Sequence, residues 1–345
     1  MINLKFVFTL TLLTWYGYAE TQNTYWVSND PSDAAVVQYS NLQTAIDDVE
    51  DGDTLMIYPT GISYGDINLT KPLFFESIGF QVNPFTQPAL QLYTYNFEAF
   101  LNSLTINDAG NDIGIKGISI SVISINDVSN LTISHCKIQA GLIKNSENVA
   151  LLSNLIGGSS INISFYDRWH LRFENTDELL LSNNIFWQYV PESFVSNLYI
   201  DINCANPSLY NNIFSDDSNL SNCIFKNNIY ISGSGACVNC EITNNIFAGT
   251  FGSNPPGNLY NINQASVFVG YPTQGDYSFD TSYQLLANSP AISYGVNGVD
   301  CGVFDGDFPY RLSGITDRPI ISELEVPLTT YGDEMQITVR AKVIH

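Results

Sequence analysis

Polar and apolar positions alternate in short runs along this chain, and the runs keep closing on one phrase: two asparagines, then two apolar residues. It reads Asn183-Asn184-Ile185-Phe186, Asn211-Asn212-Ile213-Phe214, Asn227-Asn228-Ile229-Tyr230 and Asn244-Asn245-Ile246-Phe247. Weaker copies stand at Ser134-His135-Cys136-Lys137-Ile138 and Ser153-Asn154-Leu155-Ile156. Counting from Ile138 through Ile156, Phe186, Phe214, Tyr230 and Phe247 gives steps of 18, 30, 28, 16 and 17 residues. Short apolar runs precede the phrases: Leu131-Thr132-Ile133, Val149 to Leu152, Leu179 to Leu181, and Ile242. None of these steps carries a helical period, so the repeating unit is built from strands and turns. Self-similarity at this period predicts a stacked solenoid. Asparagines recurring at one turn are placed to hydrogen-bond along the stacking axis, as amide ladders do. The lengthened steps before Phe186 and Phe214 call for loops on one flank, where binding residues tend to collect.

One stretch has the helical period instead. Ser40 is in place to cap it, Gln43 to complete a capping box, and Leu42, Ala45, Ile46 and Val49 share a face. Asp51-Gly52-Asp53 stops it and Thr54 to Tyr58 reads as a buried strand, followed by Pro59-Thr60-Gly61 and Lys71-Pro72-Leu73. A solenoid end left uncovered would expose both core and strand edge, so a helix here answers a physical need. This order resembles the opening of the pectin-lyase-like right-handed parallel β-helix proteins, whose first helix covers the bottom coil. The resemblance runs from about Leu42 to Phe308. It implies an all-β fold, a right-handed parallel β-helix with an N-terminal capping helix, but no single activity. Residues 251–275 are rich in Gly, Pro and Asn and predict irregular wrapping; the passage from Tyr283 to Phe304 resembles the segment that ends the last coils in exported proteins of that fold. Met335, Ile337, Val339, Ala341 and Val343 alternate with polar residues and predict, with Ile320 to Val326, a short β tail.

Residues 1–19 have the order of a secretory signal: Lys5, an apolar core from Phe6 to Trp15, then Gly17-Tyr18-Ala19. Three parts are therefore expected, a signal over 1–19, a β-helix domain over 20–318 and a β appendage over 319–345, in a secreted or cell-surface protein acting as a monomer. No later apolar run is long enough for a membrane span. The formal net charge of −22 argues against nucleic acid as partner. Six cysteines could pair in an exported protein. Cys237-Val238-Asn239-Cys240 is a lone CxxC, for which buried thiols or one local disulfide rank ahead of a redox site, and a metal site comes last for want of a second pair.

Chemistry concentrates in the first insertion: Tyr166, Asp167, Arg168, Trp169, His170, Arg172, Glu174 and Asp177, with Lys144 one coil earlier. Arg pairs with a uronate carboxylate, Trp stacks on a sugar face, and His or Asp moves protons. Asp167, Arg168, His170 and Arg172 are thus the catalytic candidates for a polysaccharide lyase or glycoside hydrolase, and Lys144, Tyr166, Trp169 and Asp177 the substrate-binding ones. A loop whose ion pairs and Trp are purely structural explains the same residues. Asp201 and Asp216-Asp217 offer paired carboxylates of the kind glycoside hydrolysis uses. Asn175-Thr176-Asp177 resembles the first signature of the polygalacturonases within this fold; the match stops there, because His345 is the only later histidine and no Gly-His-Gly follows. Pectate-lyase and pectin-esterase signatures are likewise missing. Calcium is a candidate cofactor at Asp216 and Asp217, or at Asp300, Asp305 and Asp307, although none has EF-hand spacing. Two functions follow: a protein that binds or degrades a polysaccharide, or a non-catalytic surface rod for adhesion.

Overall fold

The computed structural model describes residues 22–80, 98–158, 169–188, 196–232, 235–270, 279–316, 320–325 and 338–342. They form a right-handed parallel β-helix. Ten strands, from Thr24–Val27 to Glu241–Thr243, make one all-parallel sheet. Thirteen more make a second sheet that divides in two beyond the long strand Lys137–Lys144. There, Lys137 and Ile138 pair with the strand Leu155–Gly158, while Gly141 to Lys144 pair with Trp169–Glu174. The strands Leu155–Gly158 and Trp169–Glu174 thus extend two separate faces from one strand that is continuous in earlier coils.

The helix Leu42–Asp48 buries Leu42, Ala45 and Ile46 against the first coils. Its cap is Asn41, whose side chain accepts from the Thr44 amide at 2.9 Å, in place of Ser40. Gln43 does not close a capping box. Its amide instead brackets the Asn68 backbone, donating to the carbonyl at 3.0 Å and accepting from the amide at 2.9 Å, and so ties the helix to the strand Asp66–Leu69.

Each position of the asparagine phrase has its own task. The first asparagine turns the corner in the left-handed region, with φ of 56° at Asn183, 55° at Asn211, 60° at Asn227 and 57° at Asn244. Asparagine tolerates that conformation better than most residues. The second builds a buried amide ladder. Asn154, Asn184, Asn212, Asn228 and Asn245 each donate from Nδ2 to the next ladder Oδ1, the last to Asn258, at 2.9 to 3.0 Å. Each Nδ2 also donates to a backbone carbonyl of the preceding coil. No ladder amide from Asn154 to Asn245 is exposed, so these bonds are what make burial of the polar groups tolerable. The fourth position, Phe186, Phe214, Tyr230 and Phe247, stacks inside the coil, with ring centroids 4.7, 5.3 and 5.9 Å apart in succession.

The third position, Ile185, Ile213, Ile229 and Ile246, lies in a second apolar cluster with Phe268, Phe279, Tyr283, Cys301, Val303 and Tyr310. These come from the segment after the last coil, which folds back over the coils as a strap. Its path is fixed by the first asparagines and their equivalents: Asn244 donates to Tyr294, Asn211 to Asp300 and Gly302, Asn183 to Val303 and Asp305, and Ser153 to Phe308. At the far end Thr316 bonds to Ser77 and Ile78. The segment from Tyr283 to Phe304 therefore does more than end the last coils; it runs back along them. The strands Ile320–Glu325 and Thr338–Lys342 pair antiparallel as a separate two-stranded tail.

Candidate functional site

Tyr166, Asp167 and Arg168 lie outside the described residues, as do residues 1–19. The rest of the cluster stands on the strand Trp169–Glu174, beside Ser196–Ile200 of the next coil. Register puts Leu142, Arg172, Tyr199 and Asn219 in one row along the axis, and Asn126, Lys144 and Glu174 in the adjacent row. Neighbouring strands are about 4.8 Å apart, so side chains of these rows meet between coils. The Trp169 and Tyr199 rings are 5.3 Å apart, and the Arg172 guanidinium lies over the Tyr199 ring at 5.1 Å. Arg172 Nη2 is also 2.5 Å from a Glu174 carboxylate oxygen. All four of these side chains are half-buried, leaving a partly exposed surface of two rings, a cation and a carboxylate.

His170, on the same strand, is buried. Its Nδ1 is 3.0 Å from the Gln139 carbonyl, which can only accept, so Nδ1 carries the proton. Nε2 is then an acceptor, buried and without a hydrogen-bond partner among the described residues. Burial lowers the His170 pKa, opposed by the Gln139 hydrogen bond, and the ring is neutral at physiological pH. Because the folded pKa lies below the unfolded value, the stabilisation is complete above about 6.5 and is lost as pH falls below it. Thermal melts of the wild type should lose stability on acidification through this window, and His170→Gln, which keeps a donor for Gln139, should flatten that part of the profile.

Asp177 stands round the corner on the ten-stranded sheet, paired with Glu147, and its carboxylate accepts from the Ala205 amide at 2.9 Å. Asp201 accepts from the Tyr199 hydroxyl at 3.1 Å and from Asn203. Asp216 accepts from the Asp217 amide at 2.7 Å, and its own amide donates to Asn197. Burial raises its pKa, the amide hydrogen bond lowers it and the neighbouring Asp217 raises it again. At the proposed calcium positions, Asp305 accepts from the Asp300 amide and Asp300 from the Ser293 amide, so both carboxylates brace turns of the strap. Three cysteines, Cys223, Cys237 and Cys240, converge, of which the last two form a disulfide.

Tyr199 is the site residue the sequence hides. It follows Arg172 by a full lengthened coil, and the only signal for it is an aromatic residue on the outward beat between Leu198 and Ile200. The structure thus gathers Lys144, Trp169, Arg172, Glu174 and Tyr199 on one flank, buries His170 beneath it and holds Asp177 on another sheet. Searches against protein-family models and against curated protein sequences return no match.

Proposed function

We propose that this is a secreted or cell-surface β-helix protein of pectin-lyase-like architecture that binds a polysaccharide along the flank carrying Trp169, Arg172 and Tyr199. The carrying observation is the paired rings with a guanidinium over one of them, half-exposed on adjacent coils. Aromatic faces of this kind stack on sugar rings, and a repeating surface at about 4.8 Å per coil suits a repeating ligand. Arg172 and Lys144 add two of the few cations in a chain of net charge −22, which favours a glycan bearing scattered carboxylates over a densely charged polyanion. The resemblance of residues 42–308 to pectin-lyase-like β-helix proteins fixes no single activity and is compatible with this reading.

Binding is favoured over turnover by the state of the described candidates. His170 is enclosed, and Arg172 is engaged by Glu174 and Tyr199. The test is a panel of neutral and acidic polysaccharides, scored at once for retention of the folded protein and for release of reducing ends or unsaturated uronates. Retention without product is the expected result. Unsaturated product would instead make it a lyase, and absence of retention across the panel would leave the flank a structural surface.

A further inference from the structure

The three cysteines at the C-terminal coils come from two different turns of the solenoid. Pairing of Ile224 with Glu241 sets the preceding residues, Cys223 and Cys240, one above the other, and pairing of Leu220 with Cys237 brings in the third. Cys237 and Cys240 are bonded; the Cys223 thiol lies 3.1 Å from Cys240 Sγ and 3.6 Å from Cys237 Sγ. Two uses suit a thiol beside a disulfide, and the geometry separates them. A thiol poised for exchange lies in line with the S–S bond, so that it is farther from the second sulfur by about one bond length, ~2 Å. Here the two distances differ by far less, 3.1 against 3.6 Å. The thiol stands abreast of the bond, close to both of its sulfurs.

We propose that Cys223, Cys237 and Cys240, once the disulfide is reduced, form a three-thiolate site for a thiophilic divalent cation of the zinc or cadmium type. Metal–sulfur bonds of about 2.3 Å place tetrahedral ligand sulfurs roughly 3.8 Å apart. All three sulfurs lie within 4.8 Å of one another; Cys223 is 3.1 and 3.6 Å from the other two, which separate toward that spacing once their bond is reduced. Cys237-Val238-Asn239-Cys240 has the two-residue spacing common to such sites. No fourth His, Cys, Asp or Glu joins the group among the described residues, which leaves a coordination position for water or an external ligand. The site is gated by oxidation. An external dithiol delivers two electrons and two protons to the Cys237–Cys240 bond and leaves as its own disulfide. The cation then displaces the protons of three thiols into solvent. Cys237 and Cys240 are half-buried and within reach of a reductant, whereas Cys223 is buried.

The probe is cadmium, added anaerobically to the folded protein with and without prior reduction by a dithiol, followed by its ultraviolet sulfur-to-metal charge-transfer band. The reduced wild type should saturate at one cadmium per chain, and the oxidised protein should show no band. Cys223→Ser should cut the band by about a third and weaken binding by about tenfold or more, since losing even a residue that only braces a metal ligand costs about that much. Cys301→Ser, which removes a buried thiol of the strap, should change neither. Far-ultraviolet circular dichroism confirms that each variant is folded, and Cys240→Ser provides a second route if Cys223→Ser is not. A band that Cys223→Ser and Cys240→Ser leave at full strength, or one of equal strength in the oxidised protein, would overturn the proposal.

Discussion

Asn212→Ala is expected to lower stability by about 3–5 kcal/mol, although it removes only a carboxamide. The side chain makes four hydrogen bonds: from Nδ2 to Leu181 O at 2.8 Å and to Asn228 Oδ1 at 3.0 Å, and to Oδ1 from the Asn184 amide at 2.9 Å and Asn184 Nδ2 at 3.0 Å. Truncation leaves the Asn184 amide without its acceptor in a place water does not reach, and takes a donor from the Leu181 carbonyl. A buried polar group stripped of its partner costs roughly 1–3 kcal/mol, and here the loss strikes both neighbouring rungs. The exposed ladder of Asn126, Asn145 and Asn175 supplies the contrast. Asn145→Gly keeps the left-handed turn at φ 51° and exposes its neighbours only to water that already reaches them, so its cost should stay within about 1 kcal/mol. Urea midpoints of the two variants, compared at matched slopes, decide it.

Val303→Asp should cost about 3–4 kcal/mol and act on the strap before the coils. Val303 is buried in the outer cluster with Ile185, Ile213 and Ile229, and its carbonyl accepts from Asn183 at 2.9 Å. A carboxylate there has no partner, and the strap can relieve it by lifting off. The coils keep their ladder and their own inner core, which is a separate apolar cluster, so strap and solenoid should open as distinct units. Limited proteolysis should then cut within 279–316 while strand circular dichroism persists. Loss of both signals together would make the strap inseparable from the coils.

How much of this was written in the chain depends on how local the cause is. The asparagine phrase, its period and its ladder are legible because each coil repeats the same local demand: a left-handed corner, then an amide, then an aliphatic, then a ring. The capping helix is legible from its apolar face, though the cap itself shifted one residue to Asn41, where the side chain reaches Thr44. The strap is not legible in the same way. Its partners, such as Asn183 and Val303, are 120 residues apart, and the first asparagine's second task, holding a backbone that returns along the axis, has no signature in spacing. For the same reason a lone CxxC reads as isolated until stacking brings Cys223 beside it. On the flank, Trp169, Arg172 and Lys144 were evident from their rarity in an acidic chain, whereas Tyr199 needed the register between coils, and the burial of His170 needed the coil as a whole.

The proposed binding of glycan on this flank is tested most directly by the double substitution Trp169→Ala, Tyr199→Ala, measured by affinity electrophoresis through the polysaccharide that retains the wild type. Both rings are half-buried on the coil surface, so the melting temperature should hold while retention falls about tenfold for each ring lost, ~1.4 kcal/mol apiece. A double variant retained as strongly as the wild type would contradict the account and move the binding surface off this flank.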